Sequence, residues 1–115
     1  KTNVSATVEL LTKWYNAPIG LGQAWVGVAA SRSAGITYTN TTGRAIEISV
    51  WSNPSLTDKI QFMLAINGMY VARSSVPGTP SGDGTNVWVT GIVPPGGDYF
   101  VNAVMGSIEG WRELR

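Results

Sequence analysis

Residues 25–50 and 91–115 consist of short runs rich in Val, Ile, Tyr and Thr, each bounded by Gly, Pro, Asn or Ser. β-Branched and aromatic side chains fit a pleated, half-buried surface, while Gly and Asn reverse the chain between passes. The pattern therefore predicts antiparallel strands joined by tight turns. Runs of this kind read at 25–28, 36–40, 45–52, 59–66, 69–73, 86–93, 99–104 and, more weakly patterned, 108–114. Ile46, Ile48 and Val50 alternate with Glu47, Ser49 and Trp51, so one face enters a core and the other carries a large aromatic into solvent or onto a partner. Ile60, Phe62, Leu64 and Ile66 form a second inward row. Met63 and Ala65 leave the opposite face apolar too, which predicts cover on both sides, by a second sheet and by a neighbouring subunit. Asn67-Gly68 between two apolar runs is a type I′ hairpin signal, and Pro94-Pro95-Gly96-Gly97 has to be a tight connection. The expected fold is all-β: an antiparallel β-sandwich or jelly roll of about 7–8 strands.

Two stretches depart from that pattern. Near the start, Val4, Val8, Leu11 and Tyr15 recur at spacings of four, three and four, one stripe of a helix. Two heptads are too short to hold together alone. The stripe fits either a small three-helix neck on a trimeric shaft or a single helix packed on its own β domain. Residues 1–22 are thus expected to be a helical neck or linker and residues 23–115 the β domain. The chain opens on KTNVSATVELL without an initiator Met and reads as the terminal piece of a longer polypeptide. The second stretch, SSVPGTPSGDGT at 74–85, has no periodicity and reads as a long surface loop.

Composition narrows the chemistry. With 115 residues there is room for one domain. A net charge of +1, with Lys and Arg scattered among Asp and Glu, gives no basic cluster for nucleic acid. The absence of Cys and His excludes disulfides, thiolate chemistry, His-ligated metals and His-based triads. No apolar stretch is long enough to span a bilayer as a helix. The carboxylates Glu9, Glu47, Asp58, Asp83, Asp98, Glu109 and Glu113 fall singly at turns or exposed strand positions, where solubility or a loop hydrogen bond is the usual role. A facing pair for glycoside hydrolysis is the minor alternative. Asp83-Gly84 lacks the alternating oxygen ligands of a calcium loop. No catalytic residue, cofactor or metal is expected.

The aromatics are the better lead. A sugar ring offers an apolar C–H face that an indole can cover while its hydroxyls reach Asn, Ser, Asp or Arg. Trp25, Trp88 and Trp111 read as core or interface, as most Trp residues in a small β domain are; Trp51 shares a face with Glu47 and Ser49 and reads as exposed, and Tyr70 follows the hairpin turn. The candidate glycan-binding residues are Trp51, Asn53, Asn67, Tyr70, Arg73, Ser81, Asp83 and Asn86.

The phrases SRSAGITYTNTTGRAI and IVPPGGDYFV…GSIEGWREL resemble the C-terminal domains that end bacteriophage tail fibres and tailspikes, and the similar tips of shufflon-type (PilV-like) adhesins of conjugative type IV pili. The resemblance covers residues 23–52 and 91–115, about half of the chain, and it departs at Ala45, where many relatives carry Pro. Both groups touch a bacterial surface, usually its lipopolysaccharide, and commonly work as homotrimers. The resemblance thus implies a homotrimeric, non-enzymatic host-recognition tip that binds a surface glycan, located at a virion tail tip or, alternatively, an extracellular pilus tip. Residues 52–87, which match nothing, are where such tips vary between receptors. A purely structural trimerisation or capping domain is the second reading, and a glycan depolymerase the third.

Overall fold

The computed structural model describes residues 18–55, 58–77 and 85–115. Eight strands run in chain order: β1 Trp25–Gly27, β2 Thr37–Thr39, β3 Ile46–Ser52, β4 Ile60–Ile66, β5 Met69–Val76, β6 Trp88–Val93, β7 Asp98–Met105 and β8 Ile108–Leu114, with a 3-10 turn at Ala29–Ser31 after β1. They form two four-stranded antiparallel sheets, ordered β1-β8-β3-β6 and β2-β7-β4-β5. The expected all-β sandwich is the architecture observed. Only β5 differs much from its reading, running on to Val76 because Ser74 and Ser75 continue the ladder opposite Phe62 and Gln61. β5 is an edge strand, so polar side chains there remain in water at little cost.

The inward rows build the core. Ile46, Ile48 and Val50 of β3 and Val89 and Val93 of β6 meet Ile60, Phe62 and Leu64 of β4 and Val101 of β7, all buried. The Asn67-Gly68 turn adopts positive φ at both residues, 51° and 79°, as a type I′ turn requires. The Asn67 side-chain oxygen accepts the Asp98 N–H at 2.9 Å, which fastens the hairpin to the start of β7.

One end of the sandwich is closed by Asn40. Its Nδ2 donates to the carbonyls of Arg44, Val93 and Pro94 at 2.6, 3.1 and 3.1 Å, and its Oδ1 accepts from the Thr42 N–H and hydroxyl. A single buried amide thus joins the β2–β3 connection to the Pro94–Gly97 turn. The chain enters the sandwich at this same end. Arg44 Nη2 donates to the Pro18 carbonyl, Gln23 Nε2 donates to the Ala45 carbonyl, and the Arg115 N–H donates to Ala24. The connections after β3, before β6 and between β7 and β8 lie at the opposite end.

Glu113 corrects the sequence reading of its carboxylate as exposed. It and Trp111 are two residues apart on β8, so both point inward, and Glu113 is 0% exposed. Five donors surround it: Arg32 Nε and Nη2 at 3.0 and 3.2 Å, Arg115 Nη1 at 3.1 Å, the Tyr99 hydroxyl at 2.9 Å and Trp111 Nε1 at 3.2 Å. A buried carboxylate is tolerable only when its lone pairs are filled in this way. The hydrogen bond to Glu113 raises the Arg32 pKa, and burial first, then the bond to Glu113, raises that of Tyr99. Arg32 also lies 4.9 Å from the Tyr38 ring centroid, and Tyr38 meets Trp111 edge-on, so the cluster stitches the two sheets together.

Of the three tryptophans read as core or interface, Trp111 is core, and Trp25 and Trp88 are 48% and 52% exposed on this chain, outside its core. Within the single chain Ala65 is buried and Met63 half-buried on β4, which lies between β7 and β5 in its sheet. The helical stripe Val4, Val8, Leu11 and Tyr15 lies outside the described residues, and residues 19–22 form turns. No described helix is long and apolar enough to cross a membrane.

Candidate functional site

Among the described residues, the outer face of the β1-β8-β3-β6 sheet groups three tryptophans, with Trp25 and Trp88 exposed and Trp51, read as exposed, half-buried. Its composition follows from register. Glu47, Ser49 and Trp51 point outward from β3; opposite them stand Ile92, Thr90 and Trp88 on β6, and Leu114, Arg112 and Gly110 on β8. Trp25 on β1 pairs with Leu114 and joins the same face.

Trp51 and Trp88 are direct cross-strand partners and stack, with centroids 5.2 Å apart and ring planes inclined by 26°. Such a pair contributes about 0.5–1.5 kcal/mol beyond the area it buries. Both indole N–H groups are used inside the protein: Trp88 Nε1 donates to Ser49 Oγ at 3.1 Å, and Trp51 Nε1 to Glu109 Oε1 at 3.3 Å. The Arg112 guanidinium carbon lies 5.2 Å from the centroid of a Trp51 ring. Beneath the indole is Gly110, whose missing side chain leaves the space that the ring fills. Trp25, Ser49, Trp51, Trp88 and Arg112 together line a shallow groove of about 410 Å³. The surface offered to solvent is therefore carbon-faced, with polar groups at its margin.

The sequence candidates do not converge. Trp51 lies in this groove. Asn53 and Asn86 stand at the same end of β3 and β6, one rung beyond Ser52 and Val87, which are joined by the Ser52 N–H to the Val87 carbonyl at 3.0 Å. The Asn53 amide is committed to Ser107 Oγ at 2.9 Å. Asn67 and Tyr70 lie at the opposite end, on the other sheet, where Tyr70, Thr37, Asp98 and Phe100 line a separate groove of about 360 Å³. Arg73 is exposed on β5, across from Met63. Ser81 and Asp83 lie outside the described residues.

Trp88, Trp25 and Arg112, which line the groove, are not among the sequence candidates. A signal for Trp88 was available, since Val87, Val89 and Val93 alternate with Trp88, Thr90 and Ile92 and put the indole on the outside. A third groove, about 450 Å³, runs along the open side between β5 and β6 and is lined by Ile66, Met69, Val71 and Ile92 among others. Among the described residues no cluster of acidic side chains forms a metal site. No family model, curated protein or solved structure matches this chain.

Proposed function

We propose that this chain is a recognition domain that binds a bacterial surface glycan, such as lipopolysaccharide, through the outer face of its β1-β8-β3-β6 sheet. The observation that carries the reading is the Trp51–Trp88 stack beside Arg112, with Trp25 across the groove. Indoles whose N–H groups are already satisfied present apolar faces, the complement of a pyranose C–H face. Polar groups at the rim, Ser49, Arg112 and Asn86, suit sugar hydroxyls.

The same reading extends to the bearer. The domain acts as the tip of a phage tail fibre or tailspike, or alternatively of a conjugative pilus adhesin, the two groups its 31–46 and 92–114 phrases resemble. A shaft joined at the Pro18 end would hold the Trp51–Trp88 end outward. Asn67 and Tyr70, at the shaft end, are left out of the site. Three copies on one tip would raise a weak single-site affinity by about 10²–10⁴ in avidity.

A second reading, a structural domain that oligomerises and caps a shaft, is favoured by the apolar groove of Met69, Val71 and Ile92. Binding of the domain to a panel of lipopolysaccharides and surface oligosaccharides, with its oligomeric mass measured on the same sample, separates the two. Selective binding is expected; a folded oligomer that binds no saccharide would sink the first reading in favour of the second.

A further inference from the structure

We infer that the saccharide taken by the Trp51–Trp88 groove is acidic, carrying a carboxylate or phosphate that Arg112 receives; this rests on the glycan-binding reading above. Among the described residues every ion pair ends on Glu113, made by Arg32 and Arg115. Arg112 alternates with Glu113 on β8, points to the other side of the sheet and takes part in neither pair. Its contact is with the Trp51 ring at 5.2 Å, which restrains the guanidinium without using its N–H donors. The nearest outward carboxylate along β8, Glu109, accepts from Trp51 Nε1.

Ser49, the cross-strand partner of Arg112, adds a second donor. Its oxygen accepts from Trp88 Nε1, which leaves its own O–H to donate outward. A guanidinium and a hydroxyl, neighbours on the sheet and flanked by indoles, make a spot rich in donors. Its complement is an anionic oxygen pair on a substituent of a ring lying on Trp88. Neutral hydroxyls would use the same donors less well, because charge-assisted hydrogen bonds are about twice as strong as neutral ones.

The test measures binding of matched oligosaccharides by calorimetry: uronate- or ulosonate-containing, phosphorylated, and the carboxyl-reduced or dephosphorylated neutral forms. The wild-type domain should prefer an acidic form over its neutral match by about tenfold or more, and in Arg112→Met, which keeps the aliphatic stem, the acidic-to-neutral affinity ratio should fall to about one, the acidic form losing the larger share. Circular dichroism of the variant controls for folding. Equal binding of acidic and neutral forms by the wild type would overturn the inference and leave the glycan reading intact. Binding of no saccharide at all would overturn both.

Discussion

The six-membered ring of Trp51 fills the space that a side chain on Gly110 would need: a β-carbon on Gly110 would overlap Trp51 Cζ2. The two residues are cross-strand partners on β3 and β8, so glycine here is a packing requirement of the aromatic face. Gly110→Ala should displace the indole and destabilise the domain by about 1–3 kcal/mol, as overpacking does. The far-ultraviolet circular dichroism couplet of the Trp51–Trp88 stack should weaken at the same time. An alanine variant with an unchanged couplet and thermal midpoint would show that the ring does not lie there.

Glu113 is the electrostatic centre of the core, and its replacement leaves two arginines facing no anion. Removing one partner of a buried ion pair typically costs about 3–5 kcal/mol. Because Arg32 and Arg115 retain some access to water, Glu113→Gln should fall toward the lower end of that range in urea unfolding. Combined with Arg32→Met it should cost less than the sum of the two single changes. Strict additivity would mean that the two side chains do not interact.

Alkaline stability should depend on Tyr99. Burial, and then the hydrogen bond to Glu113, push its phenol above the ordinary value of 10.0, so the folded state keeps a proton that the unfolded chain releases. The contribution is complete below the unfolded pKa and is lost as pH rises through the folded one. Unfolding free energy measured upward from about pH 10 should therefore decline in the wild type. Tyr99→Phe should lack that component of the decline, and a variant with the wild-type slope would contradict the assignment.

Asn40 donates to three carbonyls and accepts from Thr42, so Asn40→Ala should cost about 2–3 kcal/mol by stranding buried acceptors. Asn40→Asp should be worse in thermal unfolding, because it turns an acceptor toward those carbonyls. An aspartate variant as stable as wild type would refute the assigned amide orientation.

Much of the framework is written locally. The alternation in Ile46–Val50, the Asn67-Gly68 turn and the Pro94–Gly97 connection each specify their own geometry, and eight strands follow from such signals. Glu113 is not legible in this way: its inward direction follows from its parity with Trp111, but three of its five donors come from Arg32, 81 residues away, and from Tyr99. The abundance of Trp in cores and interfaces does not separate the two for Trp88; the alternation of its own strand does, and puts it outside the core. Asn67 and Asn86 lie at opposite ends because one strand, β5, separates them, whereas their placement on different sheets follows from strand order, which short-range pattern does not encode. Arg112 acquires meaning only from register, which sets it beside Ser49 and near Trp51.

The most direct test of the aromatic face compares Trp88→Ala with Tyr70→Ala in binding to whichever lipopolysaccharide or oligosaccharide the wild-type domain selects. Trp88 is half exposed and at the sheet edge, so its truncation should leave the folded state and oligomeric mass intact while weakening binding about tenfold or more; Tyr70→Ala should bind as wild type does. Undiminished binding by Trp88→Ala, with loss in Tyr70→Ala, would contradict the account and move the site to the opposite sheet.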